Sequence, residues 1–368
     1  MPSWVSKDIS PFAVFVTVLV VLATVAAVTM ILVTRMEPPE VRGVLPFPKN
    51  QLDYYRLDEI AGHIHHPDYR RWHDWPEHHD GGFEMATNNL GFREDGPTAV
   101  EKPGGVVRIL VTGDSHTDGV VANSESFANQ LEDLMNARQE GGAEFEIING
   151  GHGHYGPHNY LGILRRHLDL ELDHFVVVLF VGNDLLDAVA DAWFRKEFEL
   201  PDRPDWYIDR LEKAQALSGA AVAQGLNQAY LFRTLPEVAS LSLEITEDQF
   251  RQISALCDEH GIGFYTVLLP AKINLEPEID AETTEAVDVL GLSAADLNLN
   301  QELASALAES LESFGIQVLD LQPGFGATSE VLYWKSDHHL NVEGHRLAAE
   351  LFAERFGEQL QMGDSVDR

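Results

Sequence analysis

The chain has 368 residues, one cysteine and a formal net charge of −34 at pH 7. Its length fits one large domain or two smaller ones, and the single cysteine excludes an intrachain disulfide. The negative charge argues against nucleic acid as a partner and against adhesion to anionic lipid headgroups, because both are bound through Lys and Arg. Since the acidic residues are spread along the whole chain, the charge is typical of a solubilising surface.

The first long feature is an uncharged apolar run at residues 11–33, after a short tail at 1–10. As a helix it would span roughly 34 Å, enough to cross about 30 Å of hydrocarbon. The run is longer than a typical secretory signal core, and no clear cleavage site follows it. We therefore predict a single-pass anchor with the lipid bilayer as its partner. A Pro-rich stalk at 34–50 follows, "EPPEVRGVLPFP" in its centre.

Residues 51–105 are rich in aromatic residues and His and show no helical periodicity, which predicts an irregular, partly stranded prelude packed on the main domain. The segment His63–His79 carries six His, and imidazole clusters bind zinc, copper or nickel. Its spacing fits no strong ligand pattern, no cysteine lies nearby, and Arg70 and Arg71 interrupt it. We favour a structural or surface role, and predict neither a metal nor a cofactor.

The main domain, predicted at 106–360 before a tail at 361–368, alternates between strand and helix patterns. Five apolar runs predict buried strands: "VVRILVT", "FEIIN", "HFVVVLF", "FYTVLL" and "IQVLDL". Helical spacing between them predicts an α/β fold with a parallel sheet and helices on both faces. Residues 185–242 form a helical insertion, for which a cap over the site and an outer helical layer are both open. Ligands in such folds bind beyond the carboxyl ends of the strands.

Four segments are expected to meet at those strand ends. They are Gly113-Asp114-Ser115, "NGGHGHYG" from Asn149, Gly182-Asn183-Asp184, and "YWKSDHHLNVEGH" from Tyr333. Together they supply a nucleophile, a base with an acid to orient it, and N–H donors for an oxyanion. Asp114 and His116 are poor partners for Ser115, because neighbouring side chains splay apart. The base of Ser115 must therefore come from elsewhere in the chain.

These segments resemble the sequence blocks of the SGNH hydrolase superfamily, also called GDSL esterases. The resemblance implies a three-layer α/β/α sandwich and ester hydrolysis, or acyl transfer in some members. It implies Ser115 as nucleophile and His339 as base. Asp337 is implied as the acid, because Ser336 stands where many members have theirs. The implied oxyanion hole consists of the N–H groups of Ser115 and Gly151, with Gly150 as an alternative, and the amide of Asn183.

The remaining residues are assigned supporting positions. His116, His154 and His338 are expected at the substrate rim, Asp114 and His345 in structural roles, and Cys257 in the core. The segment "TNNLGFRED" at 87–95 resembles one found in membrane-anchored or secreted members, so the domain is expected outside the cytoplasm. The expected substrate is a small-molecule, lipid or glycan ester. An O-acyltransferase and a non-catalytic, membrane-anchored binding protein are the alternatives, and the sequence does not determine the oligomeric state.

Overall fold

The computed structural model describes residues 54–138, 144–199, 201–275 and 280–361. The predicted anchor at 11–33 and the stalk at 34–50 lie outside these ranges. Within them, no helix is both long and apolar enough to cross a bilayer. The described part of the prelude contains two antiparallel hairpins, followed by irregular backbone at 87–105. One joins β1 (Tyr55–Asp58) to β2 (Gly62–His65), and the other joins β3 (Arg70–Asp74) to β4 (Gly82–Ala86).

The central sheet has five strands and is parallel throughout, which confirms the predicted α/β class. Its strands are β5 (Val106–Gly113), β6 (Glu144–Asn149), β7 (His174–Phe180), β8 (Gly263–Leu269) and β9 (Gln317–Asp320). The spatial order is β6-β5-β7-β8-β9, so the chain first moves to one side of β5 and then returns to the other. That reversal creates a switch point between β5 and β7, where a crevice opens at the carboxyl ends of the strands.

Thirteen α-helices are assigned within the described ranges, and three of them have four residues or fewer. They are α1 (Ser115–Asp118), α2 (Phe127–Ala137), α3 (Pro157–Arg166), α4 (Asp184–Phe194), α5 (Trp206–Leu217), α6 (Gly219–Ala221), α7 (Asn227–Thr234), α8 (Pro236–His260), α9 (Ala281–Leu290), α10 (Ala294–Leu297), α11 (Leu299–Ser313), α12 (Gln322–Gly326) and α13 (Val342–Gln361). Short 3-10 turns cover Asn123–Glu125, Leu168–Leu170 and Lys272–Asn274, and a π-helical segment covers Val222–Leu226. The described part of the predicted insertion is therefore largely helical, with turns and irregular backbone at 195–199 and 201–205.

Two hydrophobic cores lie on opposite faces of the sheet, because successive side chains of a strand point to opposite sides. In β7, Phe175, Val177 and Leu179 enter one core, and Val176, Val178 and Phe180 enter the other. Helices α3, α4 and α8 supply the first core, whereas α2 and α13 supply the second. Cys257 lies in the first core, as expected, and burial raises the pKa of its thiol to about 12. The sheet is thus covered on both faces, which leaves its carboxyl edge for the site.

One buried carboxylate joins the prelude to this edge. Asp118, at the end of α1, accepts from His65 at 3.1 Å and from the Arg93 guanidinium at 3.0 Å through the same oxygen. Its other oxygen accepts the N–H of Gly153 at 3.2 Å. The carboxylate therefore ties together a hairpin strand, the segment "NNLGFRED", the turn that carries Ser115 and the loop after β6.

Arg93 completes this network from within the core, where it is 1% exposed. Its guanidinium also donates to the carbonyl oxygens of Asp118 at 2.7 Å, Gly119 at 3.1 Å and Val121 at 2.9 Å, and to Asn123 Oδ1 at 2.9 Å. A buried guanidinium is tolerated when its donors are engaged, and here they hold the chain that leaves α1. The Gly-Phe-Arg segment thus fixes the backbone behind Ser115.

We predict that Asp118→Asn lowers the free energy of unfolding by about 3 kcal/mol at pH 7, because it leaves buried Arg93 without its counter-charge. Burial raises the pKa of Asp118, but His65 and Arg93 outweigh it and hold the pKa below its ordinary 3.8. The carboxylate therefore stabilises the fold fully above pH 3.8, and its contribution is lost as the pH falls further. Urea unfolding of the wild type and of Asp118→Asn, measured between pH 7 and about pH 2.5, should show that the difference in their free energies of unfolding becomes smaller at the lowest pH.

The matched control is Asp209→Asn, which breaks an ion pair with Lys213 whose side chains are 64% and 63% exposed. Exposed pairs of this kind contribute little to stability. Equal urea midpoints for Asp118→Asn and the wild type at pH 7 would contradict the assigned role of the Asp118 network.

Candidate active site

Ser115 begins α1 directly after strand β5. Asp114 caps this short helix, since its Oδ1 accepts the N–H of His116 at 2.9 Å, which agrees with the structural role expected of it. Gly113 is required by space, because a Cβ there would lie 2.1 Å from Thr117 Oγ1 and 2.7 Å from the carbonyl oxygen of Val178. The Gly-Asp-Ser sequence thus makes a tight strand-to-helix turn that leaves Ser115 partly exposed.

The structure brings Ser115, His339 and Asp337 together in a line. Ser115 Oγ lies 2.8 Å from His339 Nε2, and His339 Nδ1 lies 2.9 Å from Asp337 Oδ2. Asp337 Oδ1 also accepts the N–H of His339 at 3.1 Å, which fixes the two residues relative to each other. These are the contacts that a nucleophile, a base and an orienting acid require. Their catalytic roles remain the prediction made from sequence.

A tight loop presents the acid and the base. It is closed by a bridge between Tyr333 and Leu340 and by a 2.8 Å hydrogen bond from the N–H of Trp334 to the carbonyl of His339. Between Asp337 and His339 the backbone passes through His338, whose φ of 65° is rare for a residue with a side chain. This turn lets an acid two residues before the base reach the base, in place of the more usual spacing of three.

The charges of the pair follow from burial and from their hydrogen bond. Burial lowers the pKa of His339, but the hydrogen bond and charge of Asp337 outweigh it, so the pKa lies above the ordinary 6.5. For Asp337, burial raises the pKa, but its bonds with His339 outweigh that effect and hold it below 3.8. Asp337 is therefore ionised at neutral pH and favours the imidazolium form that a general base passes through.

Gly151 does not present a free donor, which corrects its predicted part in the oxyanion hole. Its N–H donates to Asn149 Oδ1 at 3.0 Å. Its glycine identity has another cause, since a Cβ there would lie 2.5 Å from the N of Asp118. The alternative, Gly150, is also engaged, because its N–H donates to the carbonyl of Val111 at 2.8 Å.

The backbone N–H of Ser115, the backbone N–H of His154 and the side-chain amide of Asn183 have no acceptor among the described residues. The Oδ1 of Asn183 is likewise buried without a partner in that part of the chain. His154 has a φ of 66°, and its side chain is partly exposed. Burial, with His63 and His339 next, lowers the pKa of the His154 ring to about 4.

Two of the three predicted rim residues are buried instead. His116 is 1% exposed and packs on Phe180, with ring centroids 3.9 Å apart. His338 is 7% exposed, and burial together with Lys272 lowers its pKa to about 4. Their sequence neighbours Ser115 and His339 form the site, but the turns at both places direct these two rings inward. His154 is the one predicted rim residue that stays partly exposed.

His345 is fully buried in α13, where its Nδ1 accepts the N–H of Phe127 at 3.1 Å. It therefore holds the start of α2 from a distant part of the chain, a structural role as expected. Sequence reasoning missed Gln224, which lies in the π-helical segment and contacts both His116 and His339. It also missed His65, whose place in a six-His run gave no sign of its bond to Asp118.

Among the residues that the structure covers, one group of side chains is spaced to share a metal ion: His78, His79 and Asp80. Both nitrogens of His78 are already engaged. Its Nδ1 accepts the N–H of Asp80 at 3.2 Å, and its Nε2 lies 2.9 Å from Glu125. A metal would displace one of these bonds, so the geometry favours a loop-holding role.

A family model described as "SGNH hydrolase-like domain, acetyltransferase AlgX" matches residues 230–367. This stretch contains Asp337 and His339 but does not reach back to Ser115 and Asn183. No curated protein matches the chain in a sequence comparison. The family model supports an acyl reaction of the esterase or acyltransferase type.

Several solved structures are similar to the chain. An acetyl xylan esterase, AlAXEase, is 15% identical over 68% of this chain and 99% of its own, with a TM-score of 0.40. A catalytic mutant of an acetylxylan esterase from Geobacillus stearothermophilus is 12% identical over 68% and 94%, with a TM-score of 0.42. A member of the lipolytic G-D-S-L family from Veillonella parvula is 14% identical over 68% and 98%, with a TM-score of 0.36. Likenesses this weak say nothing about the reaction of this chain.

The sequence blocks, which meet at the switch point of a parallel sheet, and the SGNH hydrolase-like family model lead to the same assignment. They support the resemblance to the SGNH hydrolase superfamily inferred from the sequence, with the family model covering residues 230–367 of the chain.

Proposed function

We propose that the protein is a serine esterase that forms an acyl-enzyme on Ser115. The observation that carries the proposal is the chain of two short contacts from Ser115 through His339 to Asp337, at 2.8 and 2.9 Å. His339 takes the proton of Ser115, whose oxygen attacks the ester carbonyl. His339 then protonates the leaving alcohol, and a water deprotonated by the same ring releases the acid.

In this proposal the oxyanion is held by the backbone N–H of Ser115 and the side-chain amide of Asn183. His154 replaces Gly151 as the third donor, because its N–H is unengaged within the described residues. Its positive φ supports this choice, since strained backbone at a site is often retained to aim a polar group. Each such donor typically contributes about 3–4 kcal/mol to the transition state.

An O-acyltransferase is the second candidate, and the description of the matching family model favours it. It shares the first half-reaction and differs only in the acceptor, a hydroxyl of a sugar or another alcohol in place of water. The extracytoplasmic location and the lipid and ester partners inferred from sequence are part of the same proposal.

The nucleophile is tested by comparing the wild type with Ser115→Ala on p-nitrophenyl acetate and by fluorophosphonate labelling, which requires an activated serine. The wild type should turn over and be labelled, and the variant should do neither. Ser126→Ala is the matched control, because Ser126 caps α2 with its hydroxyl and does not contact the triad. Labelling of the Ser115→Ala protein at the wild-type rate would rule out Ser115 as the nucleophile.

The pH profile tests the base. We expect kcat/KM to rise with pH through an apparent pKa above 6.5, because the neutral form of His339 is the base and Asp337 raises its pKa. Asp337→Asn should lower kcat about 10³- to 10⁴-fold and move the rising limb to lower pH. Asp209→Asn, which touches none of the triad residues, should keep the wild-type profile. An apparent pKa below 6 for the rising limb of the wild type would show that a group other than His339 titrates there.

Product analysis separates the two candidates. With p-nitrophenyl acetate as donor and a neutral oligosaccharide as acceptor, an esterase yields acetate at a rate that the acceptor does not change. A transferase yields an O-acetylated sugar, visible by mass spectrometry, and releases p-nitrophenol faster as acceptor is added. Acetylated sugar as the main product would replace the esterase proposal with the transferase one.

A further inference from the structure

The insertion between β7 and β8 delivers one polar side chain to the triad. Gln224 is 8% exposed, and its Oε1 lies 2.9 Å from His116 Nε2 while its Nε2 lies 3.3 Å from His339 Nε2. The carboxamide therefore bridges a buried histidine and the nitrogen that faces Ser115.

The direction of this bridge is set by the backbone. The N–H of Leu340 donates to His116 Nδ1 at 3.2 Å, so Nδ1 is the acceptor and the proton of the neutral ring is on Nε2. Burial keeps His116 neutral, because it lowers the pKa of the ring well below its ordinary value. Nε2 then donates to the carbonyl oxygen of Gln224, which leaves the NH₂ group of Gln224 as the donor toward His339.

The backbone around Gln224 departs from helical geometry to make this possible. Gln224 has φ and ψ of −102° and 26°, and Gly225 has 152° and −37°, within an otherwise helical stretch. Asn300 holds the departure through a 3.0 Å bond to the carbonyl of Gly225. A Cβ on Gly182 would come 2.9 Å from the carbonyl of Gln224, so the segment also packs on the turn that presents Asn183. Local π-type irregularities of this kind are frequent at functional sites.

We propose that Gln224 is a positioning residue that acts through His339. Its NH₂ group, 3.3 Å from Nε2 of the neutral imidazole, shares the lone pair of that nitrogen with the hydroxyl of Ser115 at 2.8 Å. This second, longer contact keeps the ring in the plane in which it can accept the proton of Ser115 and favours the basic form. The inference rests on the proposed function in one respect, because it takes the His339 ring to be the general base. The covalent steps are unchanged, since Gln224 neither gains nor loses a proton.

Several charged or titratable groups also face His339, so the effect of Gln224 must be separated from theirs. They are Asp337 and His338 in the same loop as His339, Asp114, Asp118 and His116 in and before α1, His154 in the loop after β6, and His345 in α13. Substitution of Gln224 leaves all of them in place, so a change in the pH profile can be assigned to the carboxamide.

The test compares Gln224→Met and Gln224→Glu in the full-length protein. Met removes the donor with little change in volume, and we expect kcat/KM to fall about tenfold, mainly through kcat, because the His339 ring is no longer held in line with Ser115. Glu places a carboxylate beside the imidazolium and should raise the apparent pKa of the rising limb by about one unit or more. Gln224→Met should also raise the apparent pKa of the rising limb, but by less than Gln224→Glu does.

The matched control is Gln228→Met, one turn further along. Gln228 is also buried, accepts the N–H of Leu186 at 2.8 Å and donates to the carbonyl of Val181 at 2.7 Å, without touching the triad. Its substitution should lower the unfolding temperature and leave the pH profile unchanged. If Gln224→Met behaves like Gln228→Met, Gln224 is structural only and the inference is overturned.

A readout that needs no turnover separates this inference from the proposed function. The pKa of His339 is measured by NMR titration of its ring in the wild type and in the Gln224→Glu variant, with the signal assigned through His339→Gln. An upward shift in the variant without any fluorophosphonate labelling of the wild type would support the contact and reject the esterase. Labelling of the wild type with no shift in the variant would support the esterase and reject the role of Gln224.

Discussion

The arrangement of the candidate site depends on a carboxylate that lies outside the proposed triad, that of Asp118. Asp118 is buried, and it accepts bonds from His65, Arg93 and the N–H of Gly153, which come from three separate segments. Removing such a group from water is costly unless each lone pair finds a donor, so the segments must arrive together. The nucleophile turn and the loop after β6 are therefore held in one fixed relation, and the prelude becomes part of the site.

That coupling explains why the His-rich prelude contacts the loop that carries His154. His63 and His152 both contact the carbonyl oxygen of Gly153, at 3.0 and 2.9 Å, and the rings of His65 and His152 stack with centroids 3.9 Å apart. Burial is the first cause that lowers the pKa of His63 and of His152, so both rings are neutral donors at neutral pH. The imidazoles thus act as aromatic, hydrogen-bonding core residues, and they hold the Gly153–His154 peptide in place.

The sequence predicted the parts of this molecule that local pattern controls. Five apolar runs became the five strands, and the rule that ligands bind at the carboxyl edge placed Ser115, Asn183, Asp337 and His339 at one end of the sheet. The resemblance also pointed to Asp337, because Ser336 occupies the usual position of the acid and cannot serve as one. The predictions that failed concern the direction in which individual groups point. The N–H of Gly151 donates to Asn149, and the side chains of His116 and His338 are buried. The spacing of motifs in the sequence predicts which residues lie close together. The acceptor to which each N–H donates depends on contacts between residues far apart in the chain.

Gln224 shows this limit most clearly, because nothing in "AVAQGLNQAY" distinguishes it from Gln228 four residues later. Both are buried amides on one helical stretch, yet one secures α4 to the sheet and the other reaches the base. The difference comes from the break in helical geometry at Gln224 and Gly225, which turns Gln224 toward the triad. A chain of donors then runs in one direction, from the N–H of Leu340 through His116 and Gln224 to His339. Because that chain starts at the backbone next to the base, the loop that carries His339 also determines which hydrogen bond the base receives.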